Sequence, residues 1–373
     1  MVTERINKKR HIYPYEWNLS TSNFTKDKGK VFECFASGGG STMGYKLAGF
    51  DVIGCNEIDK RMMKAYILNH NPKNSYLEPI QTFKLREDLP KKLYKLDILS
   101  GSPPCSTFSL AGDRGKTWGK NKKFKEGQAE QVLDTLFFDF IDLANKLQPK
   151  IVIAENVKGL LQGKAVRYLT EIHKQLDKAG YISNHYLLDA SKMGVPQIRE
   201  RVFVIGLRKD LAAPFIEKNG LFGVKLKLNL DFNEKRIPLK KFAKGKPKTD
   251  EMNYLPDRFG DRVVNLNKPC STLLTINRYW LDKDTVLDDD TIAKIGSFPL
   301  DYKYVHKNNL YLIAMSVPPI MMAQVAERIY KQILSKYNYS PGAHQNCLSF
   351  SLISFLFILS NFCLALGFVA NSH

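Results

Sequence analysis

VFECFASGGGSTMGYKLAGFDVIGCNE, residues 31–57, decides the fold. An apolar run, VFECFA, stops at a glycine cluster. GGGSTMGYKLAG carries a helical pattern from there, and a second apolar run, FDVIGCNE, follows. Short apolar runs bounded by turn residues read as strands, so the stretch predicts strand, glycine loop, helix, strand. The alternation continues outward. KRMMKAYILNH (60–70) predicts a helix and KLDILSG (95–101) a strand. AEQVLDTLFFDFIDLANKL (129–147) places Val132, Leu136, Phe140 and Leu147 on one helical face. KIVIAEN is a short β-branched strand, AVRYLTEIHKQLDKAG a helix closed by glycine, and HYLLDA and RVFVIGLR are further strands. Such alternation predicts an α/β fold: a doubly wound, mostly parallel sheet with helices on both faces. Ligands of such sheets bind at the carboxyl ends of the strands. The glycine loop, Glu57, Cys105 and Glu155–Asn156 all fall at that edge.

The pattern lapses after Asp210. Residues 218–248 carry ten Lys/Arg against two acids, with short alternating stretches such as VKLKLNL, and predict a small basic module. Helical periodicity returns in PPIMMAQVAERIYKQIL (318–334), which opens at prolines. Over the whole chain, 56 Lys+Arg against 37 Asp+Glu leave +19, an excess that favours polyanions. The six cysteines (34, 55, 105, 270, 347, 363) show no CxxC pairing and no histidines at metal spacing. A reducing cytoplasm, without structural zinc or disulfides, is the expectation. The N-terminus lacks the apolar core of a signal peptide. Residues 347–370 are uncharged and long enough to span a bilayer. Their composition departs abruptly from everything before Ser340, so this tail is set apart from the fold, and membrane association is not expected.

Three constellations carry chemistry. Glycines at 38, 39, 40 and 44 let the backbone approach a ligand ahead of a helix, and Glu57 ends the next strand, where it can accept from a ribose diol. Met43 breaks the G-x-G-x-x-G spacing, which favours a single-nucleoside cofactor such as S-adenosylmethionine over a nicotinamide dinucleotide. GSPPCSTFS (101–109) presents Cys105 in a proline-stiffened loop just beyond a strand. Glu155 stands at the end of another strand. A thiol and a carboxylate on neighbouring strand ends suit covalent attack on an electron-poor ring. In QIRER (197–201), strand alternation turns Arg199 and Arg201 to one face, either as a solvated pair or toward a phosphate or base edge.

Taken in order, these motifs resemble the DNA (cytosine-5)-methyltransferase family. FASGGGSTMGYKLAGF resembles its cofactor loop, NEID its ribose contact, GSPPCSTFS its Pro-Cys loop and ENV its carboxylate motif. VPQIRERVFVIG resembles the Gln-x-Arg-x-Arg motif, RVVNLNKPCSTLLT the support of the target-recognition region, and IAKIGSFPLDY and AMSVPPIMMAQVAERI the closing motifs. The likeness covers roughly residues 30–336. It implies an S-adenosylmethionine-dependent methyltransferase fold. The implied domains are an N-terminal extension (1–29), a catalytic and cofactor-binding domain (30–209), a target-recognition region (210–261), a closing segment (262–339) and the apolar tail (340–373).

The resemblance also implies a mechanism. A cytosine is flipped out of duplex DNA, Cys105 adds to carbon 6, and carbon 5 takes a methyl group from S-adenosylmethionine. Glu155 bonds to ring N3 and the exocyclic amine, and Arg201 contacts the pyrimidine, with Arg199 beside it among the catalytic residues. Implied cofactor contacts are Phe35, Ala36, Ser37, Gly38, Gly39, Gly40, Glu57, Ile58, Pro103, Ser316 and Val317. Implied DNA contacts are Ser106, Arg114, Lys116, Lys120, Lys122, Lys123, Gln197, Lys240 and Lys241. Several of these lie in DRGKTWGKNKKFKEG (113–127), which resembles the loop that closes over DNA in this family. The expected partner is double-stranded DNA. The resemblance implies a bacterial or phage setting, in a restriction-modification system with a cognate endonuclease or as an orphan enzyme, and a monomer is expected.

Four positions depart from the family pattern: Ser37 for glycine, Pro79 in EPI where an aspartate is usual, Ser106 for glutamine and Met315 for asparagine. Two rivals stay open: the same chemistry on tRNA, since a few members of this fold family modify tRNA, and a DNA-binding protein without catalysis, which the departures around the cofactor site motivate. A hydride-transferring dinucleotide enzyme is disfavoured by the glycine spacing.

Overall fold

The computed structural model describes residues 11–104, 135–163, 165–218, 224–243, 261–275, 278–282, 285–305 and 309–337. The chain divides into two units, Met1–Tyr330 and Lys331–His373. In the second, residues 331–337 are helical, and the apolar tail lies outside the described residues.

The first unit is built on a seven-stranded sheet. Its strands are β1 (Lys30–Cys34), β2 (Asp51–Glu57), β3 (Ser75–Leu77), β4 (Ile98–Gly101), β5 (Ile151–Val157), β6 (Tyr181–Asp189) and β7 (Glu200–Arg208). Their order across the sheet is β3-β2-β1-β4-β5-β7-β6. The first five run parallel, while β7 is antiparallel to β5 and to β6. The chain winds outward from β1 to β3, returns beside β1 as β4, and winds the other way. The reversal between β1 and β4 is a topological switch point, where the strand ends splay apart and leave a crevice. Cys34 and Gly101 pair there at the carboxyl ends.

Period-2 alternation decides what each face of the sheet buries. Phe32 and Cys34, Leu99, Val152 and Ala154, Val202 and Val204 face one side. They pack under α4 (Leu136–Leu147) and α5 (Ala165–Lys178) through Phe137, Phe140, Leu143, Tyr168, Ile172 and Leu176. The expected α4 stripe is present at Leu136, Phe140 and Leu147, while Val132 lies outside the described residues. The opposite face carries α1 (Gly40–Leu47), which packs on α9 (Pro319–Ile329); the short helices α6 (Lys209–Ala212) and α7 (Asp289–Ile295) lie between α5 and α9 along the chain. Glu33, Ser100, Glu155 and Arg201 therefore share the α1 side of the sheet. Helices cover both faces, as the alternation predicts.

Residues 11–29, grouped by sequence with an N-terminal extension, are stitched into the same body. Trp17 is buried and donates through Nε1 to Ser297 O (2.9 Å), and Leu19 N and Ser20 N bond to the Asp301 carboxylate. The basic segment after Asp210 forms β8 (Ile216–Lys218) and β9 (Val224–Leu226), paired antiparallel. Leu226, Leu228 and Leu230 are buried between exposed Lys225, Lys227 and Asn229, so the alternation read in VKLKLNL is real.

Candidate active site

The glycine loop leaves β1 at the switch point. Phe35, Ser37 and Gly39 all adopt positive φ (53°, 48° and 78°), a turn tight enough to aim α1 away from the strand end. A Cβ on Gly40 would lie 2.2 Å from Val317 O, and one on Gly38 would strike the Leu312 side chain. The loop is thus pressed against residues 312–317, which follow from α8 (Asn309–Met315). This close approach is what the glycines make possible.

Glu57 ends β2 beside the loop. Its Oε2 accepts from Ser37 N (2.7 Å) and its Oε1 from Asp59 N (2.8 Å). Burial pushes this carboxyl above its ordinary range, and the two N–H groups pull the other way. Asp59 caps α2 (Lys60–His70), accepting from Arg61 N and Met62 N. The cleft above these strand ends is bordered by Phe35, Ser37, Glu57 and Ile58 among the expected cofactor residues. Ala36 and Gly38–Gly40 form the tightly packed support beneath it. Ser102 and Pro104 line the cleft rather than Pro103, and Met315 and Tyr311 line it rather than Ser316 and Val317. Met62, Glu78, Pro79, Ile80 and Leu136 also line it; α3 (Ile80–Phe83) begins in the EPI stretch that the family pattern singles out, whereas nothing in the sequence of α2 points to Met62. Ser37, Pro79 and Met315, three of the four departures from the family pattern, border this one cleft. Apolar walls beside a carboxylate that accepts hydrogen bonds fit a nucleoside cofactor.

Next to this cleft, β5 and β7 bring together the acid and one arginine. Arg201 pairs in register with Val157, which sets it diagonally across from Glu155 on the same face. Arg201 Nε lies 3.0 Å from Glu155 Oε1, and both side chains are largely buried. Burial lowers the pKa of the Arg201 guanidinium, and Glu155 opposes the shift. On the other face Asn156 donates through Nδ2 to Pro103 O (3.2 Å), tying the end of β5 to the loop that leads to Cys105. Cys105, Ser106, Arg114, Lys116, Lys120, Lys122 and Lys123 lie outside the described residues.

Two expected site residues turn out differently. Arg199 is buried just ahead of β7, with Nη2 donating to Ala314 O (3.0 Å) and Ser316 O (3.1 Å). It is neither a solvated surface charge nor paired with Glu155. Burial, reinforced by Arg201, lowers it to about 9, so it stays protonated at neutral pH. Gln197, expected on DNA, is 1% exposed and spends its amide on the main chain. Its Nε2 donates to Ile295 O (3.3 Å) and its Oε1 accepts from Leu273 N (3.2 Å), so it anchors the 270–273 segment instead. Lys240 and Lys241 are exposed on a short helical turn, Leu239–Lys241, whose Leu239 is buried.

The comparisons with known proteins agree with this geometry. The family model for C-5 cytosine-specific DNA methylase matches residues 29–289. The type II methyltransferase M.FnuDI of Fusobacterium nucleatum is 37% identical over 183 residues, 49% of this chain and 48% of that protein. This chain therefore spans about half the length of that relative. M.NgoPII of Neisseria gonorrhoeae, another type II methyltransferase, is 27% identical over 355 residues, 84% of this chain and 99% of that protein. The crystal structure of a mutant DNMT2 from Spodoptera frugiperda shares the fold, with a TM-score of 0.56 at 17% identity over 81% of this chain and 99% of that one. With the glycine loop, Glu57 and the Glu155–Arg201 pair along one edge of the sheet and the family model covering most of the chain, the protein belongs to the C-5 cytosine-specific DNA methylase family.

Proposed function

We propose that the protein transfers a methyl group from S-adenosylmethionine to carbon 5 of a flipped-out cytosine in duplex DNA, with Cys105 as nucleophile. The observation that carries this reading is the buried Glu155–Arg201 pair, on a strand whose Asn156 also holds the main chain two residues before Cys105. When bound, S-adenosylmethionine supplies an electrophilic methyl group. Phe35, Ser37, Glu57 and Ile58 would hold it, with the Glu57 carboxylate facing the ribose hydroxyls.

The chain's own work is to make carbon 5 nucleophilic. The Cys105 thiolate bonds to carbon 6 and drives the ring's electron pair toward N3 and carbon 5. Glu155, oriented by Arg201, bonds to N3 and the exocyclic amine in a site from which water is largely excluded. Once carbon 5 is methylated and its proton has gone, the electron pair re-forms the ring double bond and the thiolate leaves, which sulfur does readily.

Residues 210–261 fill the place of a target-recognition region, with exposed Lys240 and Lys241 as phosphate contacts. The type II names of the relatives support a restriction-modification setting, with a cognate endonuclease as the partner such a system brings. A monomer in the cytoplasm fits that setting.

The test is transfer of labelled methyl to DNA and tRNA in parallel, with Cys105→Ala and Glu155→Gln alongside. DNA is labelled by the parent and not by the Cys105 variant, and Glu155→Gln slows transfer by about 10²–10⁴-fold. Label in tRNA alone transfers the reading to RNA. No label from folded parent leaves a DNA-binding protein, with Ser37, Pro79 and Met315 in the cleft as the reason.

A further inference from the structure

We infer that Arg199 is a positioning residue that holds the cofactor-side wall of the cleft from the strand that carries Arg201, so that the two halves of the site are set by one motif. The inference rests on the methyl-transfer reading above and assigns a task within it. Arg199 and Arg201 stand two residues apart at the entry to β7, yet their guanidiniums go to different places. Arg201 meets Glu155. Arg199 reaches the carbonyls of Ala314 and Ser316 with one nitrogen, Nη2.

Those carbonyls belong to the C-terminal end of α8, where the helix itself offers no donors. A cation there also meets the negative end of the helix. Between the two bonded residues lies Met315, which borders the cleft. One residue beyond, Val317 O packs against Gly40, and within the same turn Leu312 packs against Gly38. Ser316 Oγ donates back to Leu312 O (2.8 Å). Residues 312–317 are thus one short wall, held on one side by the glycine loop and on the other by Arg199. Without that donor two buried carbonyls lose their partner, and the wall is free to shift away from the cofactor loop. A lysine ammonium, with three hydrogens on one nitrogen, can serve both carbonyls as Nη2 does.

The experiment compares Arg199→Ala, Arg199→Lys and, as a control, Arg201→Ala. Amide hydrogen exchange is followed across residues 312–317, and S-adenosylmethionine binding is measured by calorimetry. In Arg199→Ala, exchange at 313–317 speeds up selectively and cofactor binding weakens by about tenfold, the worth of one charge-assisted bond. Methyl transfer at saturating cofactor falls far less than cofactor affinity does. Arg199→Lys restores most of both, and Arg201→Ala changes neither. Unchanged exchange and affinity in folded Arg199→Ala overturns the inference, as does faster exchange spread evenly over the chain. Should the alanine variant not fold, Arg199→Met, which keeps most of the side chain's length without a donor, is read in the same way. A parent that binds no S-adenosylmethionine sinks the methyl-transfer reading, while the exchange comparison still decides whether Arg199 holds the wall.

Discussion

Glu33 shows how one residue can set the conditions under which the site stays folded. It lies on β1 beneath the glycine loop, 1% exposed, with Oε2 accepting from Ser41 Oγ (3.0 Å) and Oε1 lacking a hydrogen-bond partner among the described residues. Burial pushes its carboxyl up to about 8, against the opposing pull of Ser41 and Ser100, so it is neutral at pH 7. A carboxyl raised on folding contributes most below its unfolded pKa. That contribution is lost as pH rises from the ordinary carboxylate range through about 8. Glu33→Gln, which cannot ionise, should therefore gain in thermal midpoint relative to the parent as pH rises from 5 to 8 and then keep a constant lead. Each 1 kcal/mol gained is worth roughly 1–2 °C in a chain of 373 residues. Parallel melting curves across pH 5–9 would show the difference directly, and a lead that stays flat over that range would mean Glu33 is ionised in the folded protein.

At the scale of elements, the glycine loop and the helix end at Gly180 separate two uses of glycine. Gly40 is constrained by space, since an added methyl would sit 2.2 Å from Val317 O. Gly180 follows α5 with φ of +94° and has nothing within 4 Å of an added methyl, so only backbone conformation constrains it. Gly180→Ala should cost about 1–2 kcal/mol of stability and leave cofactor affinity alone. Gly40→Ala should forfeit cofactor binding even in protein that remains folded, because relieving the clash moves the loop or the wall. Calorimetry with S-adenosylmethionine beside thermal melts separates the two. The strands and helices around this loop were legible because each apolar run is short, bounded by turn residues and followed by a helical period. The direction of β7 was not, since RVFVIGLR reads the same in either sense. Nor could alternation tell that Arg199 and Arg201 have different partners, because the carbonyls of Ala314 and Ser316 come from more than a hundred residues away. The cleft wall from Met62 and Tyr311 was hidden for the same reason: tertiary folding, with no local pattern, brings these residues together.

For the whole molecule, charge is the property that spacing and packing leave unexplained. The chain carries +19, and a folded core has no use for such an excess. Exposed Lys240 and Lys241 stand on a turn pinned to the body by Leu239 and by main-chain bonds from Leu239 N to Lys268 O (3.1 Å) and Lys240 N to Leu266 O (2.8 Å). A fixed backbone with exposed ammonium groups is suited to phosphates, which position a duplex without reading its sequence. DNA binding should therefore weaken steeply with salt, the logarithm of the affinity falling linearly with the logarithm of salt concentration. Replacing both lysines by alanine should make that slope shallower by roughly 0.9 for each phosphate that is no longer neutralised. It should do so for matched and unmatched duplexes alike, and S-adenosylmethionine binding should be untouched. Fluorescence anisotropy over a salt series gives the slope. An unchanged slope in the double variant would place the phosphate-binding cations elsewhere on the molecule. A slope lowered for one duplex sequence only would mean that these lysines read bases, because an ammonium bound to a phosphate carries no sequence preference of its own.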